Sequence, residues 1–301
     1  MIKEFTFICI CYNQKDLIVR HLNSVKEMVL KYGEGIENHL IVADDCSKDG
    51  TIDIVNKWIS ENTSIFVETK VISQRQNIGS VKNMYSAIDA CKTEEFKILA
   101  GDDFYYHNNI YKLYNNISNV IITPVIPEYP EDNKDEVSTV IKSMKRSLKM
   151  VSRYVETNEL SDLIRIKNHI MAPGVMVPSK YWRDPEIKQE LLKFKYIEDV
   201  PLWFNVFVKR KAKADICYEP FVYYRLPTRN RLINDKTIHD IRRTDTELIK
   251  KLYYQDSVKP HIKIKYIIYK ILFSFTRDYE DKIGKNKDLA ISYSIKHKEG
   301  K

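Results

Sequence analysis

The sequence predicts an α/β fold with a mostly parallel central sheet flanked by helices and a helical C-terminal extension. Three observations carry this expectation. Short runs rich in β-branched residues alternate with amphipathic stretches over the first hundred residues. Those runs end on polar or acidic residues. No stretch reaches the roughly 18 apolar residues that a membrane span needs, and no internal repeat is present. Strand and helix in alternation at this spacing imply right-handed βαβ units and hence a parallel sheet.

The elements follow in order. "FTFICIC" (5–11) reads as the first strand. Over 16–33, Ile18, Leu22, Val25 and Val29 share one helical face, and Gly33 is a stop. "HLIVA" (39–43) is the second strand, and "TIDIVNKWI" (51–59) is a helix with Ile52, Val55 and Ile59 on one side. "IFVETKVI" (65–72) is the third strand. A helix over 79–91 sets Val81, Met84 and Ile88 in register, and "FKILA" (96–100) is the fourth strand. Beyond Thr123 the pattern changes. The segment 124–136 carries three prolines and five acids and reads as a loop, followed by a basic amphipathic helix over roughly 136–156. "MAPGVMVP" (171–178) and "PFVYYR" (220–225) read as short strands. Between them 196–211 opens on paired acids and continues as a helix, with Pro201 tolerable in its first turn. The chain from about 230 is helical and basic in pattern.

Composition bounds the chemistry. The 301 residues are 44% hydrophobic and 30% charged, enough for one large domain or two small ones with a real core. The five cysteines are an odd number, and no Cys/His spacing suggests zinc. Cys9 and Cys11 alternate with isoleucine inside an apolar run, as buried free thiols do. With a strand starting at residue 5 no secretory leader is expected, and a reducing cytoplasm is the expected location. The net charge of +8 leaves three partners open: nucleic acid, an anionic membrane surface, or a phosphorylated small substrate.

Ligands of open α/β sheets bind at the carboxyl ends of the strands. There the sequence collects Asn13 after strand one, Asp44 and Asp45 after strand two, Arg75 and Asn77 after strand three, and Asp102 and Asp103 after strand four. One Asp-Asp pair alone reads equally as an Asx turn or a helix cap, and Asp49 before "GTIDIV" reads as a cap. Two such pairs on one rim would repel unless a cation or hydrogen-bond donors compensate. A hard divalent ion with oxygen ligands is the simplest partner, and a nucleotide diphosphate its natural companion.

In sequence, "CICYNQ", "ADDCSKDGT", "RQNIGSVKN", "LAGDDF" and "IEDVPLWFNVF" resemble the family 2 glycosyltransferases with the GT-A fold, in order and spacing over roughly 5–225. The resemblance implies a catalytic domain over 1–230, with a nucleotide-binding half (1–123) and an acceptor-binding half (124–230), before a basic helical extension over 231–301. It implies that Asp44 binds the nucleotide base, commonly uracil, with Asp45 and Asn77 beside it on the rim. Arg75 then lies near base and phosphates, and Cys11, Tyr12 and Asn13 line the nucleotide. It places Asp102 and Asp103 at the Mn2+ or Mg2+ and diphosphate, although Ala100 stands where the family often has a first aspartate. Asp199 matches the base of inverting members, with Glu198 beside it as the second candidate. A helix N-terminus also favours acids at that position. Arg225 is a candidate for the diphosphate, and Arg229 with Arg231 for a loop over the donor.

Weaker signals keep two readings each. His169 is either a structural histidine or a substrate contact, and Trp182 either core or a platform for an acceptor sugar. Gly79 is a single glycine, so no dinucleotide or P-loop fingerprint is present. The stretch 259–277 places Lys259, Lys263, Lys270 and Arg277 on one stripe, with Ile264, Ile267, Ile268, Ile271, Leu272 and Phe275 over much of the rest. Such a helix either lies in a lipid headgroup layer or packs on the domain. No recognised nucleic-acid module is present, so no nucleic-acid partner is expected.

The expected function is transfer of a sugar from a nucleotide-diphosphate sugar, with uridine as the base. The acceptor is a glycan or lipid-linked sugar of capsule, O-antigen or other surface polysaccharide, met at the inner face of the cell membrane. The alternative is a catalytically inactive, sugar-nucleotide-binding scaffold.

Overall fold

The computed structural model describes residues 2–128, 134–226, 236–255 and 258–275. Four parallel strands form the central sheet: β1 (Glu4–Cys11), β2 (Glu37–Asp44), β3 (Glu68–Ser73) and β4 (Phe96–Ala100), in the order β3-β2-β1-β4. The register pairs Cys11 with Asp44, and Ile10 with both Ala43 and Ala100. All four strands therefore end on one rim. Helices α1 (Ile18–Tyr32), α2 (Thr51–Glu61) and α3 (Ser80–Ala90) connect them. Because side chains alternate across a strand, Phe7, Cys9, Leu40 and Val42 pack with α1 and α2, while Ile8, Ile41 and Ala43 pack with α3. Both faces are buried, which is why these strands read as unbroken apolar runs.

Two small sheets complete the domain. One is β5 (Phe104–Tyr105), β10 (Val222–Arg225) and β7 (Ile126–Glu128), with β10 central. The other is β8 (Val175–Met176), β6 (Val120–Ile122) and β9 (Ala214–Ile216), with β6 central. The segment expected to be a loop over 124–136 thus contains a strand. Pro127 is tolerated because β7 is an edge of its sheet. The helix after it, α4, runs Lys134–Glu156, and α5 (Leu160–Ile166), α6 (Ser179–Trp182) and α7 (Pro185–Leu191) follow.

Other bounds also differ from expectation. The third strand starts at Glu68, since Thr63–Ile65 close a single 3-10 turn. The helix expected over 196–211 begins only at Asp199 as α8 (Asp199–Trp203) and widens into a π-helical stretch, Phe204–Lys209. Residues 195–197 stay out of it because their N–H groups are already taken, as shown below.

C-terminal to this lie α9 (Lys236–Gln255) and α10 (Pro260–Phe275). The packed face of α10 presents Tyr266, Tyr269 and Phe273 to the core, with Tyr269 edge-on to Tyr154 of α4 at 5.6 Å. Its opposite face leaves Ile264, Ile267, Ile268, Ile271 and Leu272 exposed. Among the described residues no helix is long and apolar enough to cross a membrane. Cys9 and Cys11 are buried free thiols, as their pattern predicts.

Candidate active site

Beyond the ends of β1 and β4 opens a cavity of about 1230 Å³. Its walls carry Tyr12 and Asn13 from the first loop, Asp102 and Asp103 from the fourth, Glu198 and Asp199 from the start of α8, and Arg225 from β10. Acids nearly a hundred positions apart in sequence therefore share one space.

The loops of the rim are stitched together by polar side chains. Asn13 (φ 51°) and Cys46 (φ 67°) adopt the left-handed conformation that turns each loop sharply. The Asn13 N–H donates to Ser47 Oγ (2.8 Å), and Lys48 N–H to Asn13 Oδ1 (2.8 Å). Asp49 accepts from the N–H groups of Lys15 and Thr51, each at 3.0 Å, but the N-cap of α2 is Gly50 (φ 91°), so Asp49 closes the turn before the helix rather than capping it. Burial opposes its charge, yet those hydrogen bonds and one from the Thr51 hydroxyl hold its carboxyl below the usual range.

Asp44 is fully buried. It accepts from the Ser47 N–H (2.9 Å), the Ser47 hydroxyl and the Cys11 thiol. The carboxylate of Asp45 accepts N–H donors from Ile78 (2.7 Å) and Gly79 (2.9 Å), tying β2 to the turn that starts α3. Burial raises its pKa, partly offset by those two donors. Asn77 donates to the Asp45 carbonyl (3.4 Å) and accepts from the Tyr196 hydroxyl (3.2 Å). Gly79 has φ 91°, and a Cβ there would stand 2.5 Å from the Lys195 carbonyl oxygen, so no other residue fits. Asp44, Asp45 and Cys11 lie on the rim but outside the cavity wall, and Arg75 is exposed on the loop after β3, also outside it. The reason is packing: the first two acids are turned inward onto backbone and side-chain donors.

The second pair is held differently. Gly101 lets the chain pass so close to the first loop and α1 that a Cβ would stand 2.4 Å from Gln14 Oε1 and 2.7 Å from Ile18 Cδ1. His21 Nδ1 meets the Asp103 carbonyl at 2.8 Å, and the Arg225 N–H donates to Asp103 Oδ1 at 2.9 Å. Asp102 is half-buried on the wall, whereas Asp103 is 3% exposed. Burial, with the charge of Asp102 added, pushes the Asp103 carboxyl up to about 8.

Across the cavity Asp199 accepts from Asn168 Nδ2 (2.9 Å) and from the Val200 N–H (2.7 Å). Burial raises its pKa. Glu198 is pushed up to about 7 by burial, then by the charges of Asp199 and Asp245. Tyr224, on the same wall, reports how closely these acids converge. Burial pushes its hydroxyl up to about 12, with Asp103, Asp102, Asp199 and Glu198 all adding to the rise.

Several polar residues at this site are not apparent from sequence motifs. Lys97 hides within the apolar run of β4, where its Nζ donates to the Val175 carbonyl (3.0 Å) and burial lowers it to about 7. A lysine inside "FKILA" is the sequence signal for it. Asn168 and Asp245 lie in no motif.

His169 bonds Ser147 Oγ (3.1 Å) and the Tyr266 hydroxyl (3.2 Å), so both ring nitrogens serve the fold. Burial, with Lys167 and Lys270 nearby, lowers it to about 4. Trp182 is buried among core residues, yet it also lines the cavity. Arg229, Arg231 and Arg277 lie outside the described residues.

Among the described residues no group of three or more His, Cys, Asp or Glu side chains surrounds one point. A preformed all-protein metal cage is therefore not present among them. The donor set still fits Mn2+ or Mg2+. Such ions take one or two carboxylates and complete their shell with phosphate oxygens and water. Two adjacent carboxyls, one of them strongly destabilised as the anion, have the charge imbalance that a cation relieves.

No curated protein sequence matches the chain. Among solved structures, S. aureus TarS 1-349 in complex with UDP-GlcNAc is similar at a TM-score of 0.56 and 16% identity, covering 96% of this chain and 79% of that one. The same fragment in complex with UDP gives 0.52 and 16%, covering 92% and 74%. The chain spans less than half, 44%, of the longer S. aureus TarS structure, with 92% of this chain covered, 17% identity and a TM-score of 0.52. At these identities the likeness concerns the fold, and it agrees with the GT-A arrangement of one parallel sheet under a rim of acids. The model of the family described as "Glycosyl transferase family 2" matches residues 6–170, more than half of the sequence and every strand of the central sheet. The chain belongs to glycosyl transferase family 2.

Proposed function

We propose that the protein is an inverting, metal-dependent glycosyltransferase. Its donor is a UDP-sugar, and its acceptor is a hydroxyl of a glycan or lipid-linked sugar in capsule, O-antigen or other surface-polysaccharide synthesis. One observation carries this reading: Asp102 and Asp103 line the same cavity as Glu198 and Asp199, and Arg225 lines it too. Two of the similar TarS structures are complexes with UDP and UDP-GlcNAc, which supports a uridine nucleotide here.

The roles follow from position. Asp102 and Asp103 would hold Mn2+ or Mg2+, which supplies charge stabilisation to the departing diphosphate when bound. Arg225 adds a fixed positive charge on the same wall. Tyr12 and Asn13 line the nucleotide side, while Asp44, Asp45, Asn77 and Cys11 shape the loops that carry them. Arg75, exposed on its loop outside the cavity wall, would meet the phosphates of a bound donor from the rim. Asp199, oriented by Asn168, takes the proton of the attacking hydroxyl as the new bond forms on the face opposite the leaving group. Glu198 beside it is the second candidate for that base. The proposed division is a nucleotide-binding half over 1–123, an acceptor-binding half over 124–230 and a basic extension over 231–301.

The exposed aliphatic stripe of α10 supports a peripheral membrane contact. Lys259, Lys263 and Lys270 are exposed beside it, and α10 contains no acidic residue. An apolar stripe flanked by lysines suits an anionic lipid surface, where a lipid-linked acceptor would be met.

A thermal-shift screen of nucleotide sugars with Mn2+, followed by nucleotide-release assays, tests the function. Selective stabilisation by a UDP-sugar is expected, with turnover lost in Asp199→Asn and binding retained. Binding without turnover in the wild type would favour the inactive scaffold. Absence of binding with any sugar nucleotide and metal would remove the reading altogether.

A further inference from the structure

We infer that Asp245, on α9 of the C-terminal region, is a positioning residue for the Glu198–Asp199 pair. Asp245 is 1% exposed, and its carboxylate accepts from three successive backbone N–H groups. Lys195 donates at 3.0 Å, Tyr196 at 2.7 Å and Ile197 at 3.0 Å. These are the residues immediately before Glu198. An anion cradled by consecutive N–H groups is a strong, directional contact, and it fixes the backbone at the point where α8 begins.

The same segment is gripped from its other side by α3. The Val81 N–H donates to the Lys195 carbonyl (3.2 Å) and the Ser80 hydroxyl to the Tyr196 carbonyl (3.0 Å). The Tyr196 hydroxyl reaches Asn77 of the donor-side rim (3.2 Å). Residues 195–197 thus form a clamped strip between the nucleotide loops and the C-terminal helix. A second contact ties α9 to the same region: Tyr253 packs edge-on against Phe204, just after α8, at 5.6 Å. The charge of Asp245 also adds to the rise in the Glu198 pKa. Helix α9 lies outside the matched residues 6–170, so this support comes from a part of the chain that the family match does not reach.

The inference rests on the proposed transferase reading, and its test separates the two. In native-state amide exchange of the full-length protein, residues 195–197 should exchange slowly although they lie in no helix or strand. Fast exchange there in the wild type would overturn the inference, whatever the activity. In Asp245→Asn, which is nearly isosteric but presents an amide to those N–H groups, exchange at 195–197 should accelerate. Turnover of a UDP-sugar should fall about 10- to 100-fold through kcat, since a base displaced by about 1 Å loses its alignment. Affinity for UDP with Mn2+ should change far less than kcat, because Asp245 touches no donor-side loop itself and reaches Asn77 only through Tyr196. Removing the nearby negative charge should also shift the acid limb of the kcat profile to lower pH. A residue that merely stabilises the fold would lower the melting temperature and leave both kcat per folded molecule and the pH profile in place, and that result would overturn it. A wild type that neither binds nor turns over sugar nucleotides would defeat the transferase reading while the exchange measurements still decide the role of Asp245.

Discussion

Two pairs of adjacent aspartates end parallel strands of the same sheet, yet they are held in opposite ways. Asp44 and Asp45 are met by donors on every side: Ser47 N–H and hydroxyl, the Cys11 thiol, and the N–H groups of Ile78 and Gly79. Asp103 receives the Arg225 N–H and is otherwise driven by burial and the charge of its neighbour Asp102 to a carboxyl near 8. The first pair spends its charge on building the rim. The second keeps an imbalance facing the cavity. The difference teaches that an acidic pair is judged by its compensating donors, because an anion moved out of water is costly unless hydrogen bonds or a cation replace its hydration.

The largest test of this contrast is Asp102→Asn. If the second pair is the chemical one, nucleotide release from a UDP-sugar with Mn2+ should drop about 100- to 1000-fold, as when one preorganised charge is removed from a reacting site. Thermal melts should show the fold intact. A variant as active as wild type would erase the distinction.

Next in size is Asp45→Ala, which leaves the Ile78 and Gly79 N–H groups without their acceptor. Urea denaturation should register a loss of about 1–3 kcal/mol, the cost of orphaned buried donors. Unchanged stability with abolished nucleotide binding would move Asp45 from construction to ligand contact.

The third acidic pair sharpens the comparison through pH. Burial and then Asp199 raise Glu198 from 4.5 to about 7, so the folded state holds this proton more tightly than the unfolded chain. Its stability contribution is therefore complete below the unfolded value and is lost as pH climbs through about 7. Where Glu198, the second candidate, accepts the proton, activity should run the other way, since the accepting carboxylate must be deprotonated. Melting temperatures and kcat measured across this window should slope in opposite directions, and Glu198→Gln should flatten the stability slope.

Smallest is Ser47→Ala. It removes one hydroxyl donor from Asp44 while the Ser47 N–H remains. A loss of about 1 kcal/mol is expected by denaturant titration. A much larger loss would mean that Asp44 depends on that hydroxyl to remain buried.

Much of the fold was legible in the sequence because its signals are local. The runs "FTFICIC", "HLIVA" and "FKILA" lie within β1, β2 and β4, and the helices between them differ from their patterns by one or two residues at each end. The late start of α8 was hidden, because the acceptor of the N–H groups of residues 195–197 is Asp245, some fifty positions downstream. Strand β7 was hidden by Pro127, which reads as a breaker until β10 is known to pair with it. Of the candidate site residues, Tyr12, Asn13, Asp102, Asp103, Glu198, Asp199 and Arg225 line the cavity. Cys11, Asp44, Asp45, Arg75 and Asn77 do not. Motif spacing locates a rim, and it does not say which way each side chain turns.

By itself the sequence determined the order of strands and helices, the rim on which the acids gather, and the family to which the chain belongs. Those depend on periodicity and residue type along short stretches, where neighbours in the chain are neighbours in space. Only the tertiary structure decided which acids are neutralised, which face open space, and that a C-terminal helix grips the strip before Glu198. Desolvation and hydrogen bonding are set by whatever packs against a group, and here the decisive partners arrive from other strands and helices.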